Sequence, residues 1–168
     1  MKTLAMQMLD HAGIPYEVRE FQEEELGADE VAEKLRIPLA QVFKTLVVRG
    51  DRTGVILACL PGTISLSLKA LARASGNKQV ELVEKDDILR LTGYIRGGVS
   101  PLGGKRVYPV YVDRSALDQL VLSISAGMRG MQLLLKPQDL IDATQAKVAP
   151  LGDQSGSAGP PQRKRHVE

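Results

Sequence analysis

Two β-rich runs, Lys44 to Val48 and Val55 to Leu60, flank the segment Gly50-Asp51-Arg52-Thr53-Gly54. Branched aliphatic residues suit a pleated surface, and the glycines of the short polar segment let the chain reverse. The pattern predicts a β-hairpin, which needs further elements to cover it. The rest of the chain supplies them. Leu4, Ala5, Met8, Leu9 and Ala12 recur at helical spacing, and Gly13 with Pro15 closes that helix. Ala28, Val31, Ala32 and Leu35 form a second helical face that stops before Pro38. Leu66 to Ala74 reads as a helix ended by Gly76, and Asp86 to Leu91 as one ended by Gly93. Ala116 to Leu120 and Asp139 to Ala143 are shorter helical patterns. Tyr16 to Phe21, Gln79 to Val83, Val107 to Val112, Leu120 to Ser125 and Met131 to Leu135 read as extended, with Pro109 marking an edge or a bulge. Strands outnumber what a simple βαβ repeat supplies. The expectation is a mixed α/β fold, with one strongly curled mixed sheet and helices around it.

The chain has 168 residues, about one domain's worth, and 43% of them are apolar. Gly152 to Glu168 is rich in Gly, Ser and Pro, so it reads as a disordered tail after a domain of residues 1–151. Its run Arg163-Lys164-Arg165 reads as a solvated terminal charge cluster. Lys and Arg number 22 against 20 Asp and Glu, a net charge of +2. A wholesale nucleic-acid coat is far more basic, so any RNA contact has to be local. The one cysteine, Cys59, excludes an intrachain disulfide, and no Cys/His cluster offers a metal site, which points to a cytoplasmic chain. No apolar run approaches the roughly 18 residues of a membrane span. The two histidines are His11 and His166, and no nucleophile elbow accompanies either, so a Ser-His-Asp or Cys-His mechanism is not expected.

Three segments could carry chemistry. Lys44 is the only charge between Val42 and Val48, and alternation places it on one face with Leu46 and Val48. On spacing alone it reads as an edge lysine; in a pocket it would supply a compact positive charge for a phosphate or an oxyanion. The loop Gly93 to Gly104 holds five glycines with an interior Gly97-Gly98. Its N–H groups could converge on one anion or carbonyl oxygen, although it is neither a Walker A nor a GxGxxG sequence. The turn Ser125-Ala126-Gly127-Met128-Arg129-Gly130 reads most simply as a hairpin. Arg90, Arg96, Lys105 and Arg106 fall in an acid-free stretch from Ile88 to Val112, and Arg129 and Lys136 fall in another from Gln119 to Gln138. Side by side, these stretches would suit a few phosphates. Cys59 reads as a small buried hydrophobe.

Val42-Phe43-Lys44-Thr45-Leu46, Thr92-Gly93-Tyr94 with Gly97-Gly98-Val99-Ser100-Pro101-Leu102-Gly103, and Gly127-Met128-Arg129-Gly130 occur in this order. Together they resemble the YbaK/EbsC branch of the aminoacyl-tRNA deacylases, relatives of the editing domain inserted in bacterial prolyl-tRNA synthetases. The resemblance covers about residues 1 to 150. It implies a partly barrel-like sheet and trans-editing of mischarged tRNA, most characteristically cysteinyl-tRNA carrying the proline anticodon. Lys44 matches the family's essential lysine, Thr45 its neighbour in the site, Gly97 the loop glycine beside the reacting carbonyl, and Ser125 a small polar position. Gly98 joins Gly97 as a candidate oxyanion donor. Tyr94, Ser100, Pro101, Gly127 and Arg129 are candidate substrate contacts. Phe21 stands where a tyrosine is common, Leu26 near a usual aromatic, and Gln132 where an acid is frequent; all three join the candidate contacts. No cofactor or metal is implied. The implied partners are the tRNA 3′ end and prolyl-tRNA synthetase, with no membrane.

An aminoacyl ester is already activated, so its cleavage needs a held carbonyl and a stabilised oxyanion, not a protein nucleophile. One methylene is worth only about 1–3 kcal/mol of discrimination, too little to separate cysteine, alanine and proline by size. The family's solution, as the resemblance implies, is attack of the substrate's own thiol, released as a thiolactone. The alternatives are water-mediated release of alanine or serine, and a non-catalytic module that binds tRNA or a synthetase.

Overall fold

The structure is a computed structural model that describes residues 2–22 and 24–153. Strand β2 (Phe43–Gly50) runs antiparallel to β3 (Gly54–Pro61), with Phe43 opposite Pro61 and Gly50 opposite Gly54. Alternation divides the hairpin between two cores. Phe43 and Val47 join Leu57 and Cys59 in one, while Val48 joins Ile56, Ala58 and Leu60 in the other. Strand β3 is thus covered on both faces, which explains its unbroken apolar run. The reversing segment is pinned from outside. Asn77, itself buried, accepts the N–H groups of Arg52 (2.8 Å) and Thr53 (3.0 Å) on its side-chain oxygen. Gly50 is needed there, because a Cβ would fall 2.2 Å from the Asn77 amide nitrogen.

Strand β4 (Val80–Leu82) pairs with β2 at Val48 to Gly50. Strands β5 (Val110–Asp113) and β8 (Lys147–Ala149) extend the sheet beyond β3 in parallel, giving the order β4-β2-β3-β5-β8. A second, antiparallel sheet has the order β1-β7-β6, from β1 (Glu17–Glu20), β6 (Leu122–Ser125) and β7 (Met131–Leu135). Helix α3 (Leu68–Ser75) seats Leu71 and Ala72 on one face of the larger sheet. The other face packs on the second sheet through Leu122, Ile124, Leu133 and Leu135, together with α1 (Leu4–His11) and α5 (Pro137–Thr144). Helix α2 (Ala28–Leu35) packs Val31, Ala32 and Leu35 on Val42, at the entry to β2.

The mixed α/β class is as expected, but the single curled sheet is two sheets. Among the described residues they are bridged only at Val42 and Ser123, and neither closes on itself. Period-2 alternation marks a strand without naming its partner, so it could not separate one sheet from two. Pro109 lies just before β5, an interior strand, and not at an edge; its carbonyl accepts the Leu57 N–H at 2.9 Å. The helix expected at Ala116 to Leu120 is a 3-10 turn, Arg114–Asp118, which opens where the Asp113 carboxylate accepts the Ser115 N–H. The helix expected from Asp86 begins as a 3-10 turn and becomes α4 (Ile88–Thr92), ended by Gly93 in the left-handed region. Strand β8 was not anticipated; three residues are too few to show a period. At the C-terminal end, Gly152 bridges Leu66 and the Asp153 N–H donates to the Ser65 carbonyl. The remainder of the expected tail, with Arg163-Lys164-Arg165 and His166, lies outside the described residues.

Candidate active site

Strand β2 is paired unequally along its length. Strand β4 accompanies it at Val48 to Gly50, and the Val83 N–H reaches the Val47 carbonyl at 3.0 Å. The second sheet touches its entry at Val42. Between these two pairings, a cleft of about 250 Å³ opens along Phe43, Lys44, Thr45 and Leu46. Four groups of residues complete its wall. Glu25, Leu26, Gly27, Ala28 and Val31 come from the approach to α2 and its start. Leu82, Val83, Lys85 and Ile88 come from the path between β4 and α4. The glycine-rich loop contributes Arg96, Gly97 and Val99, and the second sheet contributes Ser125 and Gln132.

Lys44 is half-buried on this wall. Beside it, the Thr45 hydroxyl lies 3.6 Å from the Cys59 sulfur. Burial pushes the Cys59 thiol up to about 12, so it stays protonated and inert at neutral pH. Gln132 is buried, and its side-chain oxygen accepts the Ser123 hydroxyl at 2.7 Å. The amide thereby offers the acceptor a carboxylate would offer, without the charge. Ser125 accepts the Gly127 N–H at 3.1 Å, which starts the turn into β7.

Gly97 has φ +84°, which favours glycine, and a Cβ there would sit 3.2 Å from both Arg129 Nε and Glu25 Cγ. Gly98 packs on the neighbouring turn, where a Cβ would lie 3.0 Å from the Met128 Cα. The Gly98 N–H donates to the Ile95 carbonyl at 2.9 Å and does not face the cleft. An oxyanion role for it is therefore not supported by this geometry: its one donor is committed to the loop's own turn.

Several other candidates hold the loop instead of lining the cleft. The Tyr94 hydroxyl donates to the Leu102 carbonyl, and burial raises its pKa to about 12. Its ring leaves no room for a side chain at Gly127, where a Cβ would fall 2.9 Å from the ring. Ser100 accepts the Leu102 N–H, and with Pro101 it faces a separate cavity of about 190 Å³ beside α1 and α5. The Phe21 N–H donates to the Gly130 carbonyl, and the Phe21 ring packs with α2. Arg129 donates through Nε to the Arg96 carbonyl at 2.6 Å and through Nη2 to Glu25 at 2.9 Å. Arg96 reaches the other Glu25 oxygen at 3.0 Å. His11 stands exposed at the end of α1, away from the cleft.

The two acid-free stretches therefore do meet, at Arg96 and Arg129, with Glu25 between them. Sequence reasoning missed Glu25, Lys85 and the apolar wall of Val31, Leu82, Val83 and Ile88. The six carboxylates between Glu20 and Glu30 were a visible signal, but nothing in the sequence tells which one folds back. Among the described residues, no group of three or more His, Cys, Asp or Glu could hold a metal ion, and no helix is long and apolar enough to cross a membrane.

This arrangement can be set beside known proteins. EbsC of Enterococcus faecalis, which carries the provisional name Cys-tRNA(Pro)/Cys-tRNA(Cys) deacylase, is 44% identical over 150 residues, spanning 88% of this chain and 92% of its own. A crystal structure provisionally described as a trans-editing enzyme for prolyl-tRNA synthetase superposes with a TM-score of 0.81 at 26% identity, covering 89% of this chain and 95% of that one. A proline–tRNA ligase of Thermosipho africanus is 32% identical over 79 residues, which are 47% of this chain and 14% of the ligase. The aminoacyl-tRNA editing domain model matches residues 22–143, a span that contains every residue lining the cleft. The chain belongs to the aminoacyl-tRNA editing domain family.

Proposed function

We propose that this protein is a trans-acting aminoacyl-tRNA deacylase whose substrate is cysteine mischarged on tRNA(Pro). The observation that carries the reading is the cleft itself. It sets Lys44 and Thr45 in one wall together with Gly97, and among the described residues its wall contains neither a histidine nor a cysteine. Such a site suits an ester that needs positioning and charge stabilisation but no protein nucleophile. The name carried by the E. faecalis relative, at 44% identity over nearly the whole chain, points to the same substrate.

In the proposed reaction, the 3′-terminal ribose enters beside Lys44, and the aminoacyl carbonyl lies at the Gly97 backbone. The substrate thiol attacks its own ester carbonyl. A carbon–sulfur bond forms, the bond to the ribose oxygen breaks, and the thiol's proton ends on that departing hydroxyl. The products are a thiolactone and uncharged tRNA. Lys44 neutralises the developing negative charge, which strengthens in a partly dehydrated cleft. Specificity then comes from the substrate, because alanine and proline carry no nucleophile, whereas size alone discriminates by only about 1–3 kcal/mol. Acting in trans fits a protein with a net charge of +2, whose own hold on tRNA is weak enough that prolyl-tRNA synthetase would deliver the substrate.

The test compares tRNA(Pro) charged with cysteine and with serine. Release of cysteine as a thiolactone, with serine retained, is the expected result. Equal rates on both would overturn substrate-thiol attack and favour water as the nucleophile.

A further inference from the structure

Glu25 joins two loops that share no backbone hydrogen bond with it. One of its carboxylate oxygens takes Arg129 Nη2 at 2.9 Å, and the other takes Arg96 Nη2 at 3.0 Å. Arg129 is further fixed by its Nε, which donates to the Arg96 carbonyl at 2.6 Å. Its guanidinium is therefore aimed at one place whether or not Glu25 occupies it. Glu25, Arg96 and the adjacent Gly97 all line the cleft, so this place is at the cleft's rim. Two guanidinium groups that each hold one oxygen of a single anion match the two non-bridging oxygens of a phosphodiester equally well. Arg96 and Glu25 are each 41% exposed at the side chain, so the pairs are screened by water and exchange at small cost.

Resting on the deacylase reading, we infer that Arg96 and Arg129 form the site for a backbone phosphate of the tRNA acceptor end, and that Glu25 occupies it as an internal stand-in until tRNA arrives. The stand-in keeps the two like charges from repelling each other in the free protein. It also reduces the affinity for any RNA, because each binding event must first displace it. Glu25 lies between β1 and α2, outside regular structure, so its release breaks no ladder or helix hydrogen bond.

The experiment titrates a fluorescently labelled RNA hairpin ending in single-stranded CCA against the full chain at several salt concentrations. Glu25→Gln keeps the side chain's shape and removes its charge. It is expected to tighten binding by about two- to five-fold at low salt, the range set by an exposed ion pair of up to about 1 kcal/mol. Its log–log salt slope should steepen by about 0.7, the value for one more single-strand phosphate neutralised once no carboxylate cancels a guanidinium charge. Glu24→Gln, one residue away and exposed, should leave the slope near that of the wild type. Arg96→Gln and Arg129→Gln should weaken binding and flatten the slope. Unchanged or weaker binding by Glu25→Gln would overturn the inference, as would an equal gain from Glu24→Gln, which would show only a net-charge effect. The deacylase reading fails separately. A wild type inactive on every charged tRNA, with these affinities still ordered as stated, would sink the enzyme and leave the phosphate site standing.

Discussion

Two glycine-bearing reversals of this chain are held in opposite ways. The β2–β3 turn is fixed by a buried neutral amide, with one carboxylate accepting backbone N–H groups at its edge. Buried Asn77 accepts two backbone N–H groups and donates to the Thr53 and Ser75 hydroxyls, and Asp51 accepts the N–H groups of Lys78 and Gln79. The Gly97–Gly98 reversal at the cleft is held by the partly exposed charges of Glu25, Arg96 and Arg129 and by close backbone packing on Met128. Buried neutral hydrogen bonds are costly to break and have nothing to exchange with. Exposed ion pairs contribute little to stability, and a ligand can replace one partner. The first reversal is scaffold, and the second is built to meet a charged substrate.

The sharpest way to break this contrast is at Gly98. Gly98→Ala places a methyl 3.0 Å from the Met128 Cα, and backbone on both sides must move. The loop carrying Gly97 then shifts relative to Lys44. Deacylation should fall by about a hundred-fold, the usual scale for a misplaced oxyanion donor, measured by release of labelled amino acid. Activity within a few-fold of the wild type would mean that the loop does not position the carbonyl.

Asn77→Ala probes the other reversal and should do the opposite. Four hydrogen bonds to a buried side chain are lost, at a cost of about 2–4 kcal/mol in urea unfolding. Turnover per folded molecule should stay unchanged, since the cleft does not include this turn. A matching loss of activity would show that the two reversals are coupled.

A smaller effect separates the core beneath the cleft from its rim. Cys59 binds its proton more tightly in the folded chain, with a pKa near 12 against an ordinary value of 9.0. The unfolded chain therefore releases that proton first. The stability this contributes is complete below about pH 9 and fades as pH rises from there toward 12. Buried Tyr94, raised from 10.0 to about 12, adds to the same alkaline decline. Cys59→Ala should flatten the decline in a series of urea titrations above pH 9. An unchanged slope would place its cause elsewhere.

Much of this molecule was legible because its local signals agree with its tertiary packing. The hairpin at Gly50 to Gly54 and the helix ended by Gly76 stand where alternation and capping put them. Lys44 could be singled out as a lone charge in an apolar strand, but spacing alone left it an edge residue or a pocket residue. What decides is the gap in pairing between Val42 and Val47 on the edge of β2 away from β3, a property of strands distant in sequence. The same reason hid the roles of Tyr94, Ser100 and Arg129. Each sits in a motif of the site, yet their hydrogen bonds brace the loop or its neighbour instead of facing the cleft. Glu25 was invisible among its acidic neighbours, because its two partners lie 71 and 104 residues further along the chain.

The central claim is that Lys44, in the stretch of β2 that pairs with β3 alone, works on a mischarged ester. The most direct test is deacylation of tRNA(Pro) charged separately with cysteine, alanine and proline, by the wild type and by Lys44→Ala. The wild type should release cysteine and spare proline. The variant should lose at least about a hundred-fold in rate while its urea midpoint stays the same, as expected for a lost electrostatic stabiliser. Cysteine release by Lys44→Ala at the wild-type rate, or no release by the wild type, would contradict the account.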